Sequence, residues 1–402
     1  VVVVGASAGG LGTAEALRRL GHDGAITLVG DETHLPYDRP PLSKQLLRGE
    51  WGTERLQLRP TQAIADLDLD LRIGVRAAEL RPADRVVVLA GGERLPYDEL
   101  VVATGVRPRR LPGTDGLSNV HELRTVEDTL ALKAGLRPGR ELLVVGGGFI
   151  GAETAAAARA LGVHVTLLEA DAVPMAPVVG TGVGEHLAAV HRRHGVDIRT
   201  GVAVDEVLHS GGRATGVRLV DGSVVAADEI LVAIGSKPAT DWLTGCGLTL
   251  DQGLLCDAQL RAGPHVHAVG DVARWYNPLF ETTMRVEHRT NAGEQALTVA
   301  RNILDPGHTR PHAPIPYFWT DQYDLKLQGY GVLAGHDEAA VVAGDLTPGP
   351  DRARFLVAYR RGELLSGVLG AGMPPKELLG WRSRVAARTP WREAVPGEPA
   401  VA

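Results

Sequence analysis

Gly146-Gly147-Gly148-Phe149-Ile150-Gly151 follows the apolar run Leu142 to Val145 and opens an alanine-rich segment. Glycines spaced in this way turn a strand sharply into a helix. They bring backbone N–H groups and the positive end of the helix dipole up to a phosphate. The next strand, Val163 to Leu168, ends at Glu169, where a dinucleotide-binding unit places an acid against ribose hydroxyls. A carboxylate there accepts from both hydroxyls and repels a 2′-phosphate. Ala170 through Thr181 holds no Arg or Lys that could receive such a phosphate.

The opening of the chain repeats the pattern. Val1 to Val4 runs into Gly5-Ala6-Ser7-Ala8-Gly9-Gly10, and Leu11, Ala14, Leu17 and Leu20 then fall at helical spacing. A strand from Ile26 to Val29 ends at Gly30-Asp31. Ser7 stands where the second glycine is expected, and one such turn alone would also suit a βαβ unit without a ligand. Two copies in one chain are far more specific. A third segment, His267-Ala268-Val269-Gly270-Asp271, ends a strand in an acid that either caps the following helix or meets a sugar hydroxyl.

These turns need elements to hold them, and the elements also come twice. Asp98-Glu99-Leu100-Val101-Val102-Ala103-Thr104-Gly105 is echoed by Asp228-Glu229-Ile230-Leu231-Val232-Ala233-Ile234-Gly235, with Pro108 and Pro238 following. Each is preceded by β-hairpin patterns, Val86 to Leu89 with Gly91-Gly92 and Val217 to Val220 with Asp221-Gly222. The chain reads as α/β, with two Rossmann-like dinucleotide-binding domains of three-layer ββα type. The first is interrupted (1–108 and 238–310) and the second occupies 109–237. A C-terminal α+β domain, 311–402, carries Tyr317-Phe318-Trp319, Tyr323 and Tyr330, β-branched segments and a helix from Lys376 to Ala387.

Composition narrows the function. The 402 residues include 50 glycines, a hydrophobic fraction of 44% and a charged fraction of 22%, as in ordinary globular proteins of two or three domains. The net charge of −6 argues against nucleic acid. No apolar run reaches the roughly 18 residues of a membrane helix. No charged leader precedes the first strand, and the missing initial Met suggests a slightly trimmed sequence. Two cysteines, Cys246 and Cys256, form no disulfide framework and point to the cytoplasm. They also lack the close pairing of a redox-active dithiol. From Arg352 to Arg392 nine basic residues face two acids, which suits either a solvated tail or a docking surface for an acidic partner. His191 and His194 share a helix face, but Arg192-Arg193 between them favours a solvated helix over a metal site, and no metal is expected.

At Leu35-Pro36-Tyr37-Asp38-Arg39-Pro40-Pro41-Leu42-Ser43-Lys44, Ala103-Thr104-Gly105, Gly270-Asp271 and Phe318-Trp319-Thr320-Asp321-Gln322-Tyr323, the sequence resembles the NADH-dependent ferredoxin reductases of bacterial oxygenase systems. These are FAD proteins of the glutathione-reductase-like superfamily. The resemblance spans essentially the whole chain. It implies FAD on the first unit, NADH on the second, and a small acidic [2Fe–2S] ferredoxin as partner, docking on the basic C-terminal region. The alternatives are a flavin- and NADH-binding module of apoptosis-inducing type and an NADH:rubredoxin reductase.

Carried over residue by residue, the resemblance puts the FAD pyrophosphate over Gly5, Ser7, Ala8 and Gly10, with Asp31 at the adenosine ribose. Ala77, Ala103, Thr104 and Gly105 flank the adenine side, Arg124 is the flavin-nucleotide arginine, Asp271 with Gly270 meets the ribityl chain, and Arg39 is a phosphate contact. NADH falls to Gly146, Gly148, Phe149, Ile150, Gly151 and Glu169. Lys44, held by the stiff Pro40-Pro41 turn, resembles the lysine that stabilises charge on the reduced flavin, with Glu153 as its ion-pair partner. Trp319 remains as an aromatic at the flavin face, whereas Arg289 replaces the family's aromatic in Arg285-Val286-Glu287-His288-Arg289-Thr290-Asn291-Ala292.

Overall fold

The structure is a computed structural model that describes residues 1–347, 354–397 and 400–401. The chain divides into two compact units, one formed by 1–38, 54–107 and 236–316, the other by 39–53, 108–235 and 317–402.

In the first unit, Val2–Val4 lies at the centre of a six-stranded sheet. It is flanked in parallel by Thr27–Gly30 and Leu100–Val102, with Val3 opposite both Leu28 and Val101. A strand buried on both faces needs the continuous β-branched run seen in the sequence. Asp70–Ile73 extends the sheet beyond Thr27–Gly30, and Val266–Ala268 extends it beyond Leu100–Val102. The strand that leads into Gly270-Asp271 is therefore neighbour to the one that leads into Ala103-Thr104-Gly105. The helices Ala8–Arg19 and Arg289–Leu304 pack on each other. Leu11, Ala14 and Leu17 are buried as their spacing predicts, but the helix ends at Arg19 and leaves Leu20 as an exposed cap. Ala77–Arg81, Val86–Leu89 and Arg94–Pro96 form the antiparallel meander. The segment up to Pro316 stays with this unit because Trp275 Nε1 donates to the His312 carbonyl and Asn277 Nδ2 to that of Pro314.

The second unit repeats the plan. Glu141–Val145 sits between His164–Glu169 and Glu229–Val232, with Val196–Thr200 and Val120–His121 outermost, all parallel. Val204–Ser210, Arg213–Leu219 and Val224–Ala226 form its meander. The expected hairpin run stops at Leu219, because Val220 enters the turn and is 71% exposed. The helix Phe149–Ala160 buries an alanine face, whose small side chains let the strand Tyr317–Gln322 approach closely. That strand opens a mainly C-terminal antiparallel sheet ordered Tyr317–Gln322, Leu325–Gly331, Leu364–Ala371, Phe355–Arg361, Glu338–Gly344 and Ala400–Val401. The helix Pro375–Ala386 covers it. No helix among the described residues is long and apolar enough to cross a membrane.

Candidate functional site

The two glycine turns share one geometry. Gly5 has φ +118 and Gly146 φ +105, values that L side chains rarely adopt. A Cβ on Gly5 would meet the Ala103 carbonyl oxygen at 2.1 Å, and one on Gly146 that of Ala233 at 2.4 Å. At the last position a Cβ on Gly10 would lie 1.9 Å from the Gly5 oxygen, and one on Gly151 2.0 Å from that of Gly146. These glycines are required by the fold itself. Gly148 differs, since a Cβ there would meet nothing within 4 Å. The fold itself therefore does not demand a glycine there. Ser7 occupies the matching place as N-cap of Ala8–Arg19, yet its side chain makes no capping bond to that helix.

The acids after the second strands behave differently. Glu169 Oε2 accepts from Gly147 N at 2.7 Å and Oε1 from Asp171 N at 2.9 Å, so its carboxylate is already oriented by backbone. Asp31 is exposed. Close to the first turn, Thr104 Oγ1 donates to the Ala239 carbonyl at 2.8 Å, Gly105 holds φ +69, and Ala77 and Ala103 are buried. Gly270 donates its N–H to Gln295 Oε1 at 2.6 Å, and the Asp271 carbonyl accepts from Arg285. Gln295 Nε2 is buried and has no hydrogen-bond partner among the described residues. Arg289 opens the helix Arg289–Leu304 and pairs with Asp38 at 2.5 Å. An aromatic at that position could not form this pair.

Lys44 lies in a π-helical turn, Leu42–Leu46, entered through Pro41. Such turns are rare and recur at functional sites. Its Nζ is 2.7 Å from Glu153 Oε2, and both side chains are buried. Glu153 stands on the helix that the second glycine turn opens. Its carboxylate also accepts from Ser43 Oγ at 2.5 Å and Thr320 Oγ1 at 2.8 Å. Ser43 and Thr320 lie inside stretches that carry the resemblance, but neither is among the site residues expected from the sequence. Thr320 lies 167 positions from Glu153, and nothing local in either stretch announces the contact. Phe149 packs on Phe318 with ring centroids 5.2 Å apart, Ile150 is 40% exposed, and Trp319 stacks on Tyr317. Arg39 Nη1 donates to the Arg124 carbonyl at 2.6 Å, while Arg124 N–H donates to Asp128.

One expectation needs correction. The helix carrying His191 is not simply solvated: His191 is buried and bonded to Gln322 and Tyr323, with burial driving its pKa down to about 4. Tyr323 accordingly stands with His191 and His194, apart from the Tyr317, Trp319 and Tyr330 group. Among the described residues no cluster of three or more His, Cys, Asp or Glu could hold a metal. Cys246 and Cys256 are free thiols, and burial pushes that of Cys256 up. In the basic C-terminal region, Arg354, Arg361, Lys376, Arg382, Arg384 and Arg392 are exposed, Arg360 pairs with Glu338, and Arg352 lies outside the described residues.

Two nucleotide-type glycine turns on duplicated parallel sheets define a two-site dinucleotide protein, and comparison with known proteins agrees. The chain belongs to the pyridine nucleotide-disulphide oxidoreductase family, whose description matches residues 1–296, with a reductase C-terminal domain over 317–402. The family binds FAD and uses NAD(P)H. The chain is 40% identical over 365 residues to a ferredoxin–NAD(P)+ reductase of Sphingomonas sp, covering 90% of this chain and 86% of that one. It is 39% identical over 347 residues to the ferredoxin–NAD+ reductase component of the p-cumate 2,3-dioxygenase system of Pseudomonas putida, covering 86% and 84%. The solved covalent complex of putidaredoxin reductase with putidaredoxin contains a chain matching at TM-score 0.91 and 36% identity, over 97% of this chain and 93% of that one.

Proposed function

We propose that this chain is an FAD-dependent NADH:ferredoxin oxidoreductase of the cytoplasm, passing single electrons to a small acidic [2Fe–2S] ferredoxin that serves an oxygenase. The overall reaction balances as NADH plus two oxidised ferredoxins giving NAD+, two reduced ferredoxins and one proton. A bound FAD supplies the exchange between two-electron and one-electron chemistry that the two substrates cannot make directly.

The first unit fits FAD. Its glycine turn is shaped for a close backbone approach, the Ser7 hydroxyl is not used as a helix cap, and Gln295 leaves a buried donor without a partner beside the Gly270 turn. On this reading the first unit's Gly5, Ser7, Ala8, Gly10 and Asp31 hold the adenylate and pyrophosphate, with Ala77, Ala103, Thr104 and Gly105 beside them, and its Gly270, Asp271 and Arg289 serve the flavin end. Arg39, Arg124 and Trp319 are FAD residues by resemblance alone. In the second unit Gly146, Gly148, Phe149, Ile150, Gly151 and Glu169 take NADH.

The observation that carries the proposal is the buried Lys44–Glu153 pair one turn into the helix opened by the NADH turn. Lys44 holds a positive charge ready for the negative charge that hydride delivery creates, and Glu153 keeps the ammonium in place. A disulfide reductase would instead need a paired dithiol, which two separate free cysteines do not provide. The test is NADH-driven reduction of a reporter cytochrome. Turnover should depend strongly on added [2Fe–2S] ferredoxin; a slow, ferredoxin-independent NADH–flavin complex would overturn the assignment.

A further inference from the structure

A line of hydrogen bonds runs through the second unit from the Lys44–Glu153 pair to the end of the helix Thr181–Arg193. Glu153 Oε1 accepts from Thr320 Oγ1 at 2.8 Å, and Thr320 Oγ1 accepts from Gln322 Nε2 at 3.3 Å. Gln322 Oε1 lies 2.9 Å from His191 Nε2, and His191 Nδ1 lies 3.0 Å from the Tyr323 hydroxyl. Thr320 and Gln322 are two apart on the strand Tyr317–Gln322 and so share a face. Both are fully buried, and His191 is nearly so.

The donors can be assigned in sequence from one end. Glu153, as partner of the Lys44 ammonium, only accepts. Thr320 therefore commits its O–H to Glu153 and offers a lone pair to the Gln322 amide nitrogen. That turns the Gln322 oxygen toward His191, whose proton must then sit on Nε2. Burial keeps the imidazole neutral, with its pKa lowered to about 4, so Nδ1 accepts and Tyr323 donates. Every hydrogen bond in the line points toward Glu153. At the outer end His194 stacks on Tyr323 at 3.6 Å and donates from Nδ1 to the Val190 carbonyl, while Arg159 is the charge acting on Tyr323. Lys44, Glu153, His191, His194, Tyr323 and Arg159 are the titratable and charged groups that face the line.

We propose that Thr320, Gln322, His191 and Tyr323 are positioning residues for NADH oxidation, forming a one-way hydrogen-bond chain that fixes Glu153 as an acceptor and through it orients the Lys44 ammonium. The proposal rests on the role given above to Lys44 and Glu153. Burying this many polar groups is costly unless each is satisfied, and aligned donors strengthen one another, so loss of one link is felt at the next. A network that merely fills the interior would leave NADH reduction and its acid limb unmoved when a link is lost.

The experiment uses FAD-loaded holoenzyme of the wild type and of His191→Leu, His191→Gln and Gln322→Leu. Stopped-flow reduction by NADH is followed across pH, and 15N-histidine NMR is recorded on the wild type. Weakening the bonds a carboxylate accepts disfavours its ionised form, so His191→Leu and Gln322→Leu should slow reduction about threefold to tenfold at neutral pH and move the acid limb up by about half a pH unit, with NADH KM within about twofold. His191→Gln, whose amide offers N–H on one side and oxygen on the other, should recover the wild-type rate to within about twofold. His191 should show the neutral Nε2–H tautomer. An unmoved acid limb in both leucine variants, a His191→Gln enzyme as slow as His191→Leu, or an Nδ1–H tautomer or imidazolium at neutral pH would each overturn the proposal. The NMR result needs no variant to fold. A wild-type holoenzyme that NADH fails to reduce would instead sink the functional reading, while the tautomer still decides the direction of the chain.

Discussion

Charge placement at single residues sets what this chain can do to a bound nucleotide. Lys44 and Glu153 are buried together, and removing one member of a buried pair leaves the other uncompensated. Lys44→Met should reduce the rate of NADH-driven reduction by about a hundredfold, the scale of losing one preorganised electrostatic stabiliser, read by stopped flow against the FAD content of each preparation. Glu169 offers a separate test. Its two oxygens are already held by the N–H groups of Gly147 and Asp171, so the acid stands in a fixed orientation. Glu169→Gln keeps an acceptor and a similar shape but removes the charge that opposes a 2′-phosphate. The ratio of kcat/KM for NADH to that for NADPH should fall about tenfold, and an unchanged ratio would place selectivity elsewhere.

At the scale of elements, the sequence revealed most where one residue type alone satisfies a backbone constraint. The duplicated sheets were legible because glycine is needed at Gly5, Gly10, Gly146 and Gly151 to let strand, turn and helix pass within contact distance. The line from Glu153 to Tyr323 was not legible. Its residues come from three distant segments, and Thr, Gln and His have no spacing that marks a partner more than a hundred positions away. Burial misled for the same reason: His191 beside two arginines reads as surface until the C-terminal strand covers it. The glycines of the second turn allow a folding role to be tested apart from the proposed binding role. Gly151→Ala would drive a Cβ to 2.0 Å from the Gly146 carbonyl oxygen and should cost several degrees of Tm. Gly148→Ala meets no protein atom, so it should keep its Tm within about 2 °C and weaken NADH binding about tenfold or more. Equal loss of Tm in both variants would contradict this division.

Two properties belong to the whole molecule, and each has a sign that follows from charge. His288 and His312 in the first unit and His191 in the second have pKa values lowered by burial to about 4. The unfolded chain binds protons at these sites near pH 6.5 while the folded chain does not. The stability they contribute is therefore present above about pH 6.5 and lost as pH falls toward 4. Tm should accordingly drop steeply across that window, and His312→Asn should flatten the drop. The second property is the uneven distribution of charge. A net charge of −6 includes nine basic and two acidic residues between Arg352 and Arg392, so the rest of the chain is strongly acidic and would repel an acidic ferredoxin. The C-terminal region, with Arg382, Arg384 and Lys376 exposed on one helix, offers attraction. Such steering acts on encounter and is screened beyond a Debye length, about 10 Å at 0.1 M salt and about 3 Å at 1 M. Raising salt across that range should lower ferredoxin-dependent kcat/KM about tenfold while leaving NADH reduction of the holoenzyme nearly constant. The double variant Arg382→Glu with Arg384→Glu should reproduce the loss at low salt and remove most of the salt dependence. If it did neither, the ferredoxin would be held by a surface other than this helix, and the basic region would be a solvated one.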